Sequence, residues 1–310
     1  MVKKLVTKSN KTINRTGFGG WQLGNTEFWG FMSQDEGVEI VKKAIKSGIN
    51  FFDTAPGFGA GISESIIGLA IEGHREDVFI ATKYGHTADG ETDFSVFSLR
   101  EHIYSSLERL QTDYIDALIL HNPPWDILEG KTNHISELKK LQDEGLIRYF
   151  GVSIDTTEEM ELCLNHLDVE IMEIIFNIFF QEPIAFFDQA KQKGIHLIAK
   201  VPLDSGWLTG KYDEFADFTG IRMRWDDETI EKRASLVSKL KAMTTKSDLT
   251  KYALSFVRSF KEIDCVIPGI RTMEQLQDHI DHQHYHMSKE LKEAFIEFYQ
   301  KYIKDEPLSW

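Results

Sequence analysis

Three short apolar runs in this chain end in groups that move protons or hold charge. Phe51 and Phe52 lead to Asp53, the run from Val78 to Thr82 leads to Lys83, and the run from Ile115 to Leu120 leads to His121. An acid, a base and an imidazole at successive strand ends are the makings of a proton-transfer site. Strand termini at one rim are also where a β/α barrel carries its chemistry. Taken singly, the same residues would make no more than a buried ion pair and a satisfied core histidine. Directly after Asp53, a glycine-rich turn carries Gly57, Phe58 and Gly59.

The elements that would position these groups follow a βα rhythm. Apolar runs predict strands over Thr16 to Trp21, Ile49 to Asp53, Val78 to Lys83, Ile115 to His121, Tyr149 to Ser153, Ile171 to Phe176, His196 to Val201 and Cys265 to Pro268. Between them, apolar residues recur at spacings of three and four, as in Leu99, Ile103, Leu107 and Leu110, which is a helical stripe. Gly48 and Gly194 follow helical stretches, where a left-handed cap is favoured. Alternating elements imply a parallel sheet: a (β/α)8 TIM barrel if the first strand meets the last, an open doubly wound sheet otherwise.

No linker or low-complexity tract divides the 310 residues, so a single domain is expected over 1–310. Three segments stand outside the repeat. Residues 1–15, with a turn near Asn10, predict a hairpin across the barrel's base. Residues 204–228 predict a long cofactor or substrate loop bearing Trp207, Tyr212 and Trp225. Residues 288–303 predict an amphipathic C-terminal helix with Leu291, Phe295, Phe298 and Tyr302 on one side.

The formal charge of −14, with basic residues scattered among acids, argues against nucleic acid and anionic membrane surfaces as partners. No apolar run of signal-peptide or membrane-spanning length occurs, and Cys163 and Cys265 read as small buried thiols, so a cytoplasmic setting is expected. A monomer is the simplest expectation. The cluster His279, Asp281, His282, His284 and His286 has no standard metal-ligand spacing and reads as a polar, solvated helix end, so no metal site is assigned.

Several motifs, in order and each near a strand end, resemble those of the aldo-keto reductase family. They are Gly19 Gly20 Trp21; Asp53 Thr54 Ala55 with Phe58 Gly59, Gly61, Ser63 Glu64 and Gly68; Ala81 Thr82 Lys83; Leu120 His121 Asn122 Pro123; Gly151 Val152 Ser153; Pro202 Leu203 through Gly206 to Tyr212; and Ile267 Pro268 Gly269. The resemblance implies a (β/α)8 barrel that binds a nicotinamide cofactor, NADPH (NADP+), extended across its rim and acts on a small carbonyl or quinone-like substrate. It also implies a catalytic Asp, Tyr, Lys and His. Three are present as Asp53, Lys83 and His121, and the tyrosine position is Phe58.

The implied cofactor contacts are Gly20, Trp21, Asp53, Ser153, Pro202, Leu203, Gly206, Lys211, Gly269, Arg271 and Gln275, with Thr272 as a further neighbour. Glu173 stands for the family's usual glutamine, Lys200 for its ring-stacking tyrosine, Ile154 for an asparagine after the serine, and His279 for an adenine-side asparagine. Arg271 beside a helix that begins near Thr272 suits the extra phosphate of NADPH.

Phenylalanine has no proton to give, and general acid catalysis typically contributes about 10² to 10⁴ in rate. Tyr84 should face away from Lys83, since neighbouring strand residues point to opposite sides. His121, with an ordinary pKa near 6.5, is the expected replacement donor, ahead of Tyr212 or a water held by the long loop. Phe28, Trp29, Phe31, Trp125, Trp207 and Trp225 either line an aromatic substrate pocket or anchor loops. The leading reading is thus a reductase. The alternatives are a catalytically weak, cofactor-binding sensor or regulatory protein and, with Ile154, Glu173 and Lys200 in mind, cofactor-independent chemistry on the same barrel.

Overall fold

The computed structural model describes residues 4–244 and 248–308. Strands β1 (Phe18–Gly19), β2 (Phe51–Asp53), β3 (Phe79–Tyr84), β4 (Ile115–His121), β5 (Ile147–Ile154), β6 (Ile171–Ile175), β7 (His196–Lys200) and β8 (Ile263–Val266) pair in parallel in sequence order. Parallel bridges Thr16–Val266 and Gly19–Gly269 return the last strand to the first. Gly17 N donates to Val266 O at 2.8 Å and Gly19 N to Pro268 O at 2.9 Å. The sheet is therefore a closed TIM barrel and not the open doubly wound alternative.

Alternation along each strand builds two cores. Phe51, Phe79, Ala117, Ile171 and Ile198 fill the barrel interior, while Phe52, Ile80, Leu118, Met172 and Ala199 face the surrounding helices. Strand lengths differ from expectation at the ends. β1 keeps two residues of the predicted six because the chain turns at Trp21. β8 starts at Ile263 and stops short of Pro268, which has no N–H for a ladder.

The N-terminal segment is a hairpin, with an antiparallel Val6–Thr12 bridge and Asn10 at φ 64°. It pushes Leu5 and Ile13 into the inner core and plugs the base. Gly48 and Gly194 take the left-handed conformation expected of helix ends. The C-terminal helix Lys289–Tyr302 is capped by Ser288 and buries Phe295, Phe298 and Tyr299. Tyr302 is partly exposed, because the stripe turns to Tyr299.

Cys163 and Cys265 are buried free thiols. Among the described residues no three His, Cys, Asp or Glu side chains come together as a metal-ligating group, and no helix is long and apolar enough to cross a membrane. His279 departs from the solvated reading of its segment. It is 3 % exposed, packed on the inner face of helix Met273–His282.

Two predictions follow from this packing. A Cβ on Gly151 would lie 2.1 Å from Ile171 O across the β5–β6 ladder, so Gly151→Ala should lower stability in a denaturant titration by about 1–3 kcal/mol. Burial, with His282 and Arg258 nearby, depresses the His279 pKa to about 4. The unfolded chain then takes up this proton first as pH falls below about 6.5. Stability contributed by neutral His279 should be complete above that value and be lost progressively as pH falls toward 4. His279→Gln should flatten that part of the stability–pH curve.

Candidate active site

Parallel register delivers the charged side chains to one rim. His121 on β4, Ser153 on β5 and Glu173 on β6 are in line across the ladders, with Asp53 ending β2, Lys83 near the end of β3 and Lys200 ending β7. Lys83 Nζ donates to Asp53 Oδ1 and, at 3.0 Å, to Thr54 O, and lies 3.5 Å from Glu173 Oε2. All three side chains are buried. The Phe58 ring centre is 5.1 Å from Lys83 Nζ, and the ring meets His121 edge-on at 6.0 Å. The three groups predicted to converge do so, with a hydroxyl-free ring against them.

The electrostatics follow from this crowding. Burial first, then the Glu173 carboxylate, raises the Asp53 pKa well above the ordinary aspartate value, against the pull of Lys83. Burial opposes the Lys83 ammonium, but the Asp53 and Glu173 carboxylates outweigh it and hold its pKa above the usual lysine value. His121 goes the other way: burial, then Lys83, Lys200 and His86, push its pKa well below 6.5. This direction runs against the expectation that His121 holds a proton at working pH. The neutral imidazole is favoured over the cation, and its Nδ1 is buried without a hydrogen bond to the protein.

Lys200 holds Ser153 Oγ at 2.8 Å and pairs with Asp155 at 2.7 Å, and Asn122 binds the other Asp155 oxygen at 2.8 Å. A cation thus braces the serine where the family resemblance places a stacking ring. Tyr84 lies on the far side of its strand, donating to Ser95 O at 2.6 Å and packing against Phe94, His102 and His134. It cannot serve the site.

These groups line a cavity of about 860 Å³ that runs across the rim to Arg271, Thr272 and Gln275. Trp21, Pro202, Leu203, Gly206, Lys211 and Gly269 also line it. Gly20 does not. A Cβ there would meet Asp53 O at 2.7 Å and Ser63 Oγ at 2.9 Å, so its part is close backbone packing behind Asp53. Gln275 Oε1 accepts from Arg271 N at 2.8 Å and Thr272 N at 3.3 Å, closing a capping box that fixes the Arg271 turn. Arg271 donates to Phe31 O at 2.6 Å, and its Nε is buried without a protein acceptor. His279 lies outside the cavity lining.

Of the aromatic residues, Phe28 and Trp29 line the cavity. Trp207 and Trp225 instead pack together with Phe218 as loop anchors, and Phe31 and Trp125 are solvent-exposed away from the lining. Arg222, which sequence reasoning missed, donates to Ser205 O at 2.8 Å and sits 4.7 Å from the Trp29 ring and 5.1 Å from the Tyr212 ring. Gly220 crosses so close to Phe28 that a Cβ would fall 2.1 Å from its carbonyl oxygen. The backbone after β7 is strained, with Val201, Asp204 and Ser205 at φ 54°, 46° and 53°. The buried Asp204–Arg233 pair at 3.1 Å holds it there.

Residues 15–296 match the model of the aldo/keto reductase family. L-galactose dehydrogenase of Arabidopsis thaliana is 29 % identical over 278 residues, 86 % of this chain and 83 % of that protein. Aldo-keto reductase YhdN of Bacillus subtilis is 34 % identical over 228 residues, 71 % of this chain and 67 % of that one. An aldo-keto reductase from Klebsiella pneumoniae, solved in complex with NADPH, superposes with a TM-score of 0.73 at 20 % identity, covering 100 % of both chains. With a closed eight-stranded barrel and a rim that gathers Asp53, Lys83 and His121, the chain belongs to the aldo/keto reductase family of oxidoreductases.

Proposed function

We propose that this protein is an NADPH-dependent oxidoreductase that reduces a small carbonyl or quinone-like molecule. The observation that carries the reading is one continuous cavity with the buried Asp53–Lys83 pair at one end and Arg271 at the other. Lys211, Arg222 and Arg271 in the lining suit phosphates, and the unpartnered Arg271 Nε asks for an anionic acceptor. At the inner end, Lys200 and Ser153 offer donors to a carboxamide oxygen, and Glu173, whose oxygens lack well-formed hydrogen bonds from the protein, offers an acceptor to its N–H. The donor set fits a dinucleotide, as in the Klebsiella relative solved with NADPH.

When bound, the reduced nicotinamide supplies a hydride to the substrate carbon. The protein's own residues do the rest. Lys83 stabilises negative charge growing on the substrate oxygen, and neutral His121 contributes a hydrogen bond without surrendering a proton. Phe58 and Trp21, with ring centres 6.4 Å apart, form an apolar wall that keeps water from the reacting atoms. Quinone-like acceptors, whose reduced oxygen is a weak base, depend least on a strong acid. The edge-on packing of Phe58 against His121 also favours a second reading, a cofactor-binding sensor with little turnover.

NADPH fluorescence titration followed by a panel of aldehydes and quinones separates the two readings. Arg271→Ala should weaken NADPH at least about tenfold, a lost charged hydrogen bond, while NADH affinity changes little. Phe58→Tyr should raise carbonyl turnover by about 10² or more. Tight NADPH binding with no turnover in either the parent or Phe58→Tyr would favour the sensor.

A further inference from the structure

The inner end of the cavity holds one carboxyl more than its ammonium can neutralise. Asp53, Glu173 and Lys83 are 5 %, 0 % and 4 % exposed, and Lys83 contacts both carboxyls. The surrounding groups do not make up the difference. Lys200, facing from β7, is committed to Asp155 and Ser153. His121, facing from β4 with His86 behind it, is disfavoured as a cation by burial and by Lys83 and Lys200. Cys265, inside the barrel from β8, is a thiol whose pKa burial pushes up. Neither Glu173 oxygen receives a well-formed hydrogen bond from another protein group. A net anion held out of water with one cation between two carboxyls is strongly disfavoured, and two carboxyls sharing a site relieve it by keeping one proton between them.

We propose that Glu173 turns the Asp53–Lys83 pair into a proton-holding cluster that supplies the proton Phe58 cannot. The inference rests on the reductase reading above. The raised Asp53 pKa agrees with a proton residing on that carboxyl. The hydride forms a C–H bond at the carbonyl carbon, the C=O π pair moves to oxygen, and an N–H of Lys83 breaks as the alcohol O–H forms. The Asp53 O–H breaks as Lys83 regains its proton. The products are the alcohol, oxidised cofactor and a cluster one proton short, which solvent refills after release. Glu173 acts through its neighbours and is a positioning residue in this step.

Infrared spectra of the cofactor-free protein test the cluster independently of turnover. A protonated-carboxyl C=O band should be present at neutral pH, shift in D2O, and vanish in the near-isosteric Glu173→Gln. Asp53→Asn is the second variant and should also remove it. In steady-state kinetics, Glu173→Gln should lower kcat by about 10²-fold. Because the cluster then deprotonates at lower pH, the descending alkaline limb of the kcat profile should move toward acid. No such band in the parent, or an unmoved pH limb in Glu173→Gln, overturns the proposal. A parent that shows the band but binds no NADPH refutes the reductase reading and the delivery step with it, while the shared proton stands.

Discussion

The site depends on keeping the Lys83–Asp53 pair out of water. Removing one partner of such a pair typically costs about 3–5 kcal/mol, so the surroundings must hold both in place. Much of the motif around Asp53 is scaffolding for this purpose. Ser63 Oγ bridges Thr54 Oγ1 and Gly20 O, each at 2.8 Å, which fixes the turn whose Thr54 carbonyl also takes Lys83. Thr82 points the opposite way from Lys83 and donates to buried Glu64 at 2.6 Å, which in turn accepts from Arg109 at 2.6 Å. At the ends of β2 and β3, one residue pins the barrel to its helices while its neighbour faces the site.

Most of the fold was legible in the sequence because its signals are local. Period-two alternation separates Phe51 from Phe52 and Phe79 from Ile80, and those choices decide which core each ring joins. Strand ends were less legible. Whether Thr16 belongs to a strand depends on its bridge to Val266, a partner at the other end of the chain. The same holds for Tyr302, where the helical stripe alone cannot tell which of two neighbouring rings the barrel leaves room for.

For the site, Asp53, Lys83 and His121 were legible as strand-end residues, and Phe58 as an absence of hydroxyl in their midst. Their protonation was not. His121 reads as a physiological-pH acid until its partial burial and the nearby Lys83 and Lys200 are seen to push its pKa down. Glu173 reads as a cofactor contact, and its added ion pair with Lys83, from a strand three places on in the barrel, is visible only in the structure. Arg222, on a loop without periodicity, gives no sign in the sequence that it stacks over Trp29. Trp207 and Trp225 could be read from the sequence as either substrate contacts or loop anchors, because aromatic loop residues serve both roles, and only burial distinguishes them.

The hairpin under the barrel has a further consequence. With Leu5 and Ile13 stoppering the floor, Lys83 is approached through the cavity at the opposite rim. Of two ligands lying along the same wall, the deeper would enter first and leave last.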